Sequence, residues 1–373
     1  MTINPFKLER YFAQFEFKVK YLLSSSDPES LSMEELLQMA SSESLMLWKT
    51  LKLGYTESAG HPVLRSEASN LYQNITPDDL IISAPEEAIF IAMQTILSPG
   101  DNVIVVSPAY QSLYEIARSI GCSLTPWKFE LGLKGWQLDI DQLEHSLSAQ
   151  TRLIVVNFPH NPTGYVPSIA EYEKIVDIAR RNGIYLFSDE MYRFLEYDST
   201  KRLPPVCDIY EKGITLSGLS KSFALPGLRM GWLATQEHAL IEKWLVFKDY
   251  TTICNSAPSE ILGIIALRAK EKILNRNLAI IKKNLTLADQ FFCKYEDRFK
   301  WIRPVAGSVG FPKWLGKGTI EAFCQELLEQ KGIMIVPGSI FEFPGSHFRI
   351  GLGRMNFSEI LDHTDDFLKS RYS

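Results

Sequence analysis

Between residues 79 and 235 short runs of apolar, β-branched residues alternate with longer stretches in which apolar positions recur every three to four residues. Strand-length runs separated by helical patterns predict βαβ units, hence an α/β domain built on a mostly parallel sheet sandwiched by helices. Leu80-Ile81-Ile82-Ser83 is one such run, followed by an expected helix over 86–97 that Pro99-Gly100 closes. The next strand is expected over 102–107 and the next helix over about 110–120, with Gly121 as its stop. The clearest unit runs from a strand at 152–157 to a helix opened by the capping box Ser168/Glu171. Tyr172, Ile175, Val176 and Ala179 form that helix's apolar face, Gly183 ends it, and 184–187 is the returning strand. Ligands in such sheets lie beyond the carboxyl ends of the strands. Ser107-Pro108-Ala109-Tyr110, Asn161 and Asp189 fall at such ends.

After about Asn275 the rhythm changes to a long charged helix, the turn Arg303-Pro304-Val305-Ala306-Gly307 and a helix over 320–330 with Ile320, Phe323, Cys324, Leu327 and Leu328 inward. Closing strands near 333–336 and 347–352 complete a smaller α+β segment. No internal repeat or low-complexity linker separates the parts, so two interlocked domains are expected. The larger is assigned 46–274 and the smaller 1–45 with 275–373.

Composition narrows the function classes. With 46% hydrophobic residues among 373 the chain has a sizeable core, and a net charge of -5 without a basic stripe argues against nucleic acid or an anionic membrane surface as partner. Cys122, Cys207, Cys254, Cys293 and Cys324 are scattered without a CxxC pair, which fits a reducing cytoplasm rather than a disulfide framework or zinc knuckle. Charges at Lys7, Glu9, Arg10, Glu16, Lys18 and Lys20 interrupt the N-terminal stretch, and no 18-residue apolar run occurs, so neither export nor membrane insertion is expected. The six histidines lack ligand spacing, so no metal is expected. Gly351-Leu352-Gly353 lacks the third glycine of a dinucleotide loop.

Three stretches carry candidate chemistry. In Ser217-Gly218-Leu219-Ser220-Lys221 a lysine follows an apolar run among small and hydroxyl residues, and Arg229 lies eight positions on. An amine set that way forms a Schiff base with a carbonyl, and an arginine fixes a phosphate bidentately; a solvated lysine beside a Gly/Pro-rich turn is the competing reading. Asn157-Phe158-Pro159-His160-Asn161-Pro162-Thr163-Gly164 places an amide where it reaches a phenolic oxygen, or else is an Asx-type turn. In Ser188-Asp189-Glu190-Met191-Tyr192 an aspartate leaves an apolar strand, either as a helix N-cap or as a carboxylate that keeps a pyridine nitrogen protonated.

Asn-Pro-Thr-Gly, Ser-Asp-Glu-x-Tyr and Ser-Lys followed by Gly-x-Arg-x-Gly, in this order and spacing over residues 55–354, resemble the fold type I, class I/II pyridoxal phosphate aminotransferases. The resemblance implies pyridoxal 5'-phosphate as cofactor, Lys221 as Schiff-base lysine and proton carrier, and Asp189 as partner of the ring nitrogen. It implies Asn161 and Tyr192 at the phenolate oxygen, Tyr110 stacked on the ring, and Arg229 with Ser220, and less firmly Ser217, at the phosphate. Ala84, Pro85 and Glu86 stand at the family's phosphate turn, where Pro85 removes one N–H and Ala84 replaces the usual glycine. Gly218 stands where many relatives carry serine or threonine. Tyr55 resembles the residue that reaches the neighbouring subunit's phosphate, implying a homodimer with shared sites, although a buried aromatic explains it too. Arg349 would grip the substrate carboxylate, against the alternative of a surface arginine on an edge strand.

The activity implied is amino-group transfer between an amino acid and a 2-oxo acid. The same constellation serves a lyase or cyclase, and the serine-rich 21–30 strip resembles that of capreomycidine-synthase-like members, with Asp27 or Glu29 as partners for a polar or cationic side chain. A non-catalytic sensor of the same fold is the third reading; no helix-turn-helix pattern and little basic surface accompany it. His160, next to Asn161, is expected to be a satisfied loop histidine, and Arg354 has no assigned role.

Overall fold

The computed structural model describes residues 2–133 and 135–372. An eight-stranded sheet is formed by β1 (Leu80–Ser83), β2 (Asn102–Ser107), β3 (Ser123–Gly132), β4 (Gly135–Leu138), β5 (Thr151–Asn157), β6 (Tyr185–Asp189), β7 (Gly213–Gly218) and β8 (Gly231–Ala234). Their spatial order is β1-β8-β7-β6-β5-β2-β3-β4. The five strands from β7 to β3 pair in parallel, while β8 runs against both its neighbours and β4 against β3. Because β8 reverses once between β7 and β1, β1 points the same way as β7, and their carboxyl ends share one edge.

Strand β5 shows why the sheet is covered on both faces. Every residue in it except Arg152 is buried, the near-continuous apolar run expected of a doubly covered parallel sheet. Leu153 and Val155 pack into one core cluster and Ile154 and Val156 into a second, as the two-residue side-chain period requires. The following helix, Ile169–Arg181, has the predicted capping box, with Glu171 N–H donating to Ser168 Oγ at 3.2 Å and Ser168 N–H to Glu171 Oε2 at 2.7 Å. Such a cap contributes about 1 kcal/mol. Gly183 takes the positive φ of 63° that ends the turn.

Helix α1 (Lys7–Phe15) precedes the sheet in sequence, and α2 (Pro85–Ile96) leaves β1 directly. α2 starts one residue before the expected Glu86, because a proline at the first helical position fits the fixed φ and has no N–H to lose. Toward the C-terminus, Lys270–Lys294 is the long charged helix, and Val309–Gly310, Phe348–Gly351 and Val336–Pro337 form a small antiparallel sheet. The N-terminal strand Tyr21–Leu22 pairs with Ile333–Met334, joining the two ends of the chain. Among the described residues no helix is long and apolar enough to cross a membrane.

Candidate active site

The parallel register brings the chemistry together. Asn157, the last residue of β5, stands opposite Asp189, the last of β6, and Asp189 opposite Leu216 of β7. Lys221 follows three residues beyond the end of β7. Gly218 ends that strand facing Gly231 of β8, where a Cβ would lie 2.9 Å from the Gly231 Cα and the Met230 carbonyl oxygen. Close pairing of these strands accounts for glycine at this position.

These ends surround a cavity of about 550 Å³. Lys221, Asp189, Asn161, Tyr192, Tyr110 and Ser220 line it, as do Arg229, Arg349, Pro85 and Glu86. Asp189 is buried and its carboxyl is pushed up to about 7, chiefly by desolvation and against a hydrogen bond at 3.1 Å from the Met191 N–H. Asn157 fixes both neighbours: its Nδ2 donates to the Asp189 carbonyl oxygen and its Oδ1 accepts from the Asn161 N–H, each at 2.9 Å. Asn161 Oδ1 accepts from Arg349 Nη1 at 3.2 Å, leaving its amide nitrogen for the cavity. Arg349 is 1% exposed, so it is no surface arginine; Nη2 donates to the Ser24 carbonyl oxygen at 3.0 Å and the guanidinium lies over Phe12 and Phe341.

Tyr110 donates to Glu9 Oε1 at 2.9 Å and also neighbours Glu86, whose carboxyl burial pushes upward. Burial foremost, then these two carboxylates, holds the Tyr110 phenol neutral well above its ordinary range. α2 presents its N-terminal N–H groups from Glu86 onward, since Pro85 has none. Arg229, in a left-handed conformation and exposed, reaches the same mouth.

Several expectations are corrected. Ser217 is buried in β7 but is absent from the cavity wall: Leu216 faces the cavity, and successive strand residues point to opposite faces. Ala84 caps α2 through its backbone and does not line the cavity. For Tyr55 only the alternative of a buried aromatic falls, since the residue is 91% exposed and lies outside its own subunit's cavity. Asp27 lines the cavity and Glu29 does not; Arg354 lies 3.0 Å from Asp27 Oδ2 and 3.9 Å from Glu29 Oε1. That pairing gives Arg354 its place. His160 is a satisfied loop histidine, bonded to Thr163 Oγ1 at 2.7 Å and the Pro108 carbonyl oxygen at 2.8 Å.

Sequence reading missed Asn157, Ser26 and α1. Glu9 and Phe12 line the cavity from that helix and Glu16 from the residue that caps its C-terminus, and their spacing of three and four was the available signal. Burial, followed by repulsion from Asp27 and Glu9, raises the Glu16 carboxyl.

The donor set fits pyridoxal phosphate. The Tyr192 hydroxyl, Ser220 hydroxyl and Arg349 Nε are buried without a hydrogen-bond partner, which is costly unless a ligand satisfies them. Asp189 is a buried carboxylate awaiting a cation, and Arg229 stands beside a helix N-terminus as an anion site requires. Among the described residues no group of three metal-ligating side chains occurs.

Comparison with known proteins agrees. Residues 19–361 match the family described as aminotransferase class I and II. Capreomycidine synthase of Streptomyces vinaceus is 30% identical over 255 residues, 68% of this chain and 65% of that protein. The crystal structure of a PLP-dependent aminotransferase from Streptococcus suis 89-1591 superposes with a TM-score of 0.92 at 30% identity, covering 100% of this chain and 99% of that one. That of the PLP-dependent cyclase OrfR superposes with a TM-score of 0.90 at 25% identity, covering 100% and 98%. The chain therefore belongs to the class I and II aminotransferases, enzymes of fold type I that work with pyridoxal 5'-phosphate.

Proposed function

We propose that this enzyme moves an amino group between an amino acid and a 2-oxo acid, with Lys221 as the covalent anchor of the cofactor. The observation that carries the reading is the convergence of Lys221, Asp189, Asn161, Tyr192 and Arg349 on one cavity. When bound, pyridoxal phosphate supplies an electron sink for the pair left as the substrate α-proton departs. Lys221 Nζ would hold the cofactor carbonyl and, once displaced, would take the proton from the substrate α-carbon and deliver it to the cofactor carbon that had borne the carbonyl, the shift that amino transfer requires. Asp189 keeps the ring nitrogen protonated, Asn161 and Tyr192 donate to the phenolate oxygen, and Tyr110 covers the ring. Arg229, Ser220 and the N–H groups at the start of α2 take the phosphate. Arg349 clamps the substrate carboxylate.

The experiment is an amino acid panel with and without a 2-oxo acid. Conversion of the cofactor to its amine form, reversed by oxo acid, is the expected outcome; ammonia release or ring closure without transfer supports the second reading, a lyase or cyclase. Similarity to proteins named a synthase and a cyclase keeps that reading in play.

The assembly is proposed to be a cytoplasmic homodimer, each subunit divided into 46–274 and the two chain ends. Leu53 and Tyr55 face outward, as do Val246, Tyr250 and Ile253. Thr56 and Ser58 reach Asn255 and Asp249, each at 3.5 Å, so these segments adjoin, and an apolar surface of this kind marks an interface. If Tyr55 serves the partner's phosphate, Tyr55→Phe weakens cofactor binding by about tenfold, the scale of one charged hydrogen bond. Mixing Tyr55→Phe with Lys221→Ala subunits is then expected to rebuild one intact site per hybrid dimer. Activity of the mixture no greater than that of Tyr55→Phe alone excludes the shared arrangement.

A further inference from the structure

Lys221 Nζ donates to the hydroxyl of Ser26 at 2.9 Å. Among the described residues this is the one hydrogen bond Nζ makes, and Ser26 itself lines the cavity. Ser26 belongs to a strip, 23–27, that is tied to the C-terminal segment at every residue. Gly351 N–H donates to the Leu23 carbonyl oxygen at 2.5 Å, Arg349 Nη2 to that of Ser24 at 3.0 Å, and Ser308 Oγ to that of Ser26 at 2.6 Å. Arg354 Nη2 holds Ser25 Oγ at 3.1 Å and Asp27 Oδ2 at 3.0 Å.

The strip lies flush on this support only because two positions lack side chains. A Cβ on Gly351 would strike the Ser25 carbonyl oxygen, and one on Gly353 would strike Pro28 and the Asp27 carbonyl oxygen. The glycine pair that sequence reading set aside as a failed dinucleotide loop is the bed for this strip.

We propose that Ser26 is a positioning residue for Lys221, and that strip 23–27 is a rigid strut setting the lysine amine at a fixed offset from Arg349. The proposal rests on the reading that Lys221 carries the proton and Arg349 the substrate carboxylate. A long lysine side chain released from its covalent partner has many rotamers. A single acceptor fixed by its backbone to Ser308 holds the amine where proton transfer starts and ends. Ser26 therefore acts through Lys221 and not on substrate.

The test compares Ser26→Ala, Ser26→Thr and Ser26→Cys with the wild type and Lys221→Ala. Cysteine keeps the volume with a weak acceptor, and serves if alanine accumulates poorly. The first readout is the rate at which protein stripped of cofactor develops, on mixing with pyridoxal phosphate, the absorbance band of the lysine-linked cofactor as distinct from that of the free aldehyde. The second is the ratio of solvent deuterium exchange at the substrate α-carbon to completed amino transfer. Alanine and cysteine are expected to slow capture and kcat about tenfold with KM nearly unchanged, and to shift the exchange ratio, while threonine restores both. A purely structural role for the hydroxyl lowers the amount of folded protein without moving that ratio. Capture rate and ratio at wild-type values in alanine and cysteine variants overturn the proposal, even while Lys221→Ala loses the absorbance. Absorbance retained by Lys221→Ala overturns the underlying reading instead.

Discussion

Lys221→Ala is expected to abolish the covalent link to pyridoxal phosphate and to lower turnover on the order of 10⁴-fold, the upper range for removing a positioned proton carrier. The remaining cavity is untouched: Asp189, Asn161 and Tyr192 are positioned by β5, β6 and the loops that follow them, not by the lysine. The variant should therefore still bind the cofactor, at a strength set by the phosphate contacts. Borohydride reduction followed by peptide mapping checks this directly. Wild type should carry the cofactor mass on the peptide containing Lys221, and the variant none on any peptide at equal stoichiometry. A reduced adduct of undiminished yield elsewhere would show that another lysine is the anchor.

Asp189→Asn is expected to separate stability from activity. With burial raising the folded carboxyl to about 7, the protein without cofactor holds the Asp189 proton more tightly than the unfolded chain does. Below the unfolded value both states are protonated and the residue has no pH-dependent effect. From about pH 4 to about 7 the unfolded chain loses the proton first, so stability falls as pH rises; above that the full penalty of a buried charge remains, of a few kcal/mol. The asparagine variant without cofactor should thus melt higher than wild type at pH 8, with the gap closing as pH falls through that window. Glu190, also pushed to about 7 by burial, keeps a residual slope in both proteins. With cofactor the order reverses, because the ring-nitrogen cation no longer has its carboxylate, and turnover should drop roughly 10²- to 10³-fold. Thermal melts across pH with and without pyridoxal phosphate test both halves. Identical melting profiles for the two cofactor-free proteins would refute the assigned role of the carboxyl.

The sheet was legible because its strands are buried on both faces and so read as unbroken apolar runs, with caps such as Ser168 and Gly183 marking the helices between them. Residues at strand ends followed from the same logic, which is why Asn161, Asp189 and Lys221 meet as expected. Ser217 misled because a linear motif does not reveal which face of β7 a residue takes; alternation about Leu216 decides it. The serine strip and Arg354 were opaque because their partners are far away in sequence, from 195 positions for Ser26 and Lys221 to 327 for Asp27 and Arg354. Tyr55 was ambiguous for another reason: one sequence does not tell whether an aromatic completes its own subunit or faces outward.

The pairing of 23–27 with 308–354 also fixes an order of events during synthesis. Residues 23–27 find their full set of carbonyl and hydroxyl partners only once the chain has been made as far as Arg354, since Asp27 and Arg354 are 327 positions apart. Contacts of such separation form late. The parallel sheet and the pocket for Asp189 are complete by Ala234, well before the strip has a bed to lie on. Until then the cleft lacks the wall that strip 23–27 supplies and Lys221 lacks its Ser26 partner, so the site is complete only when the strip settles against 308–354.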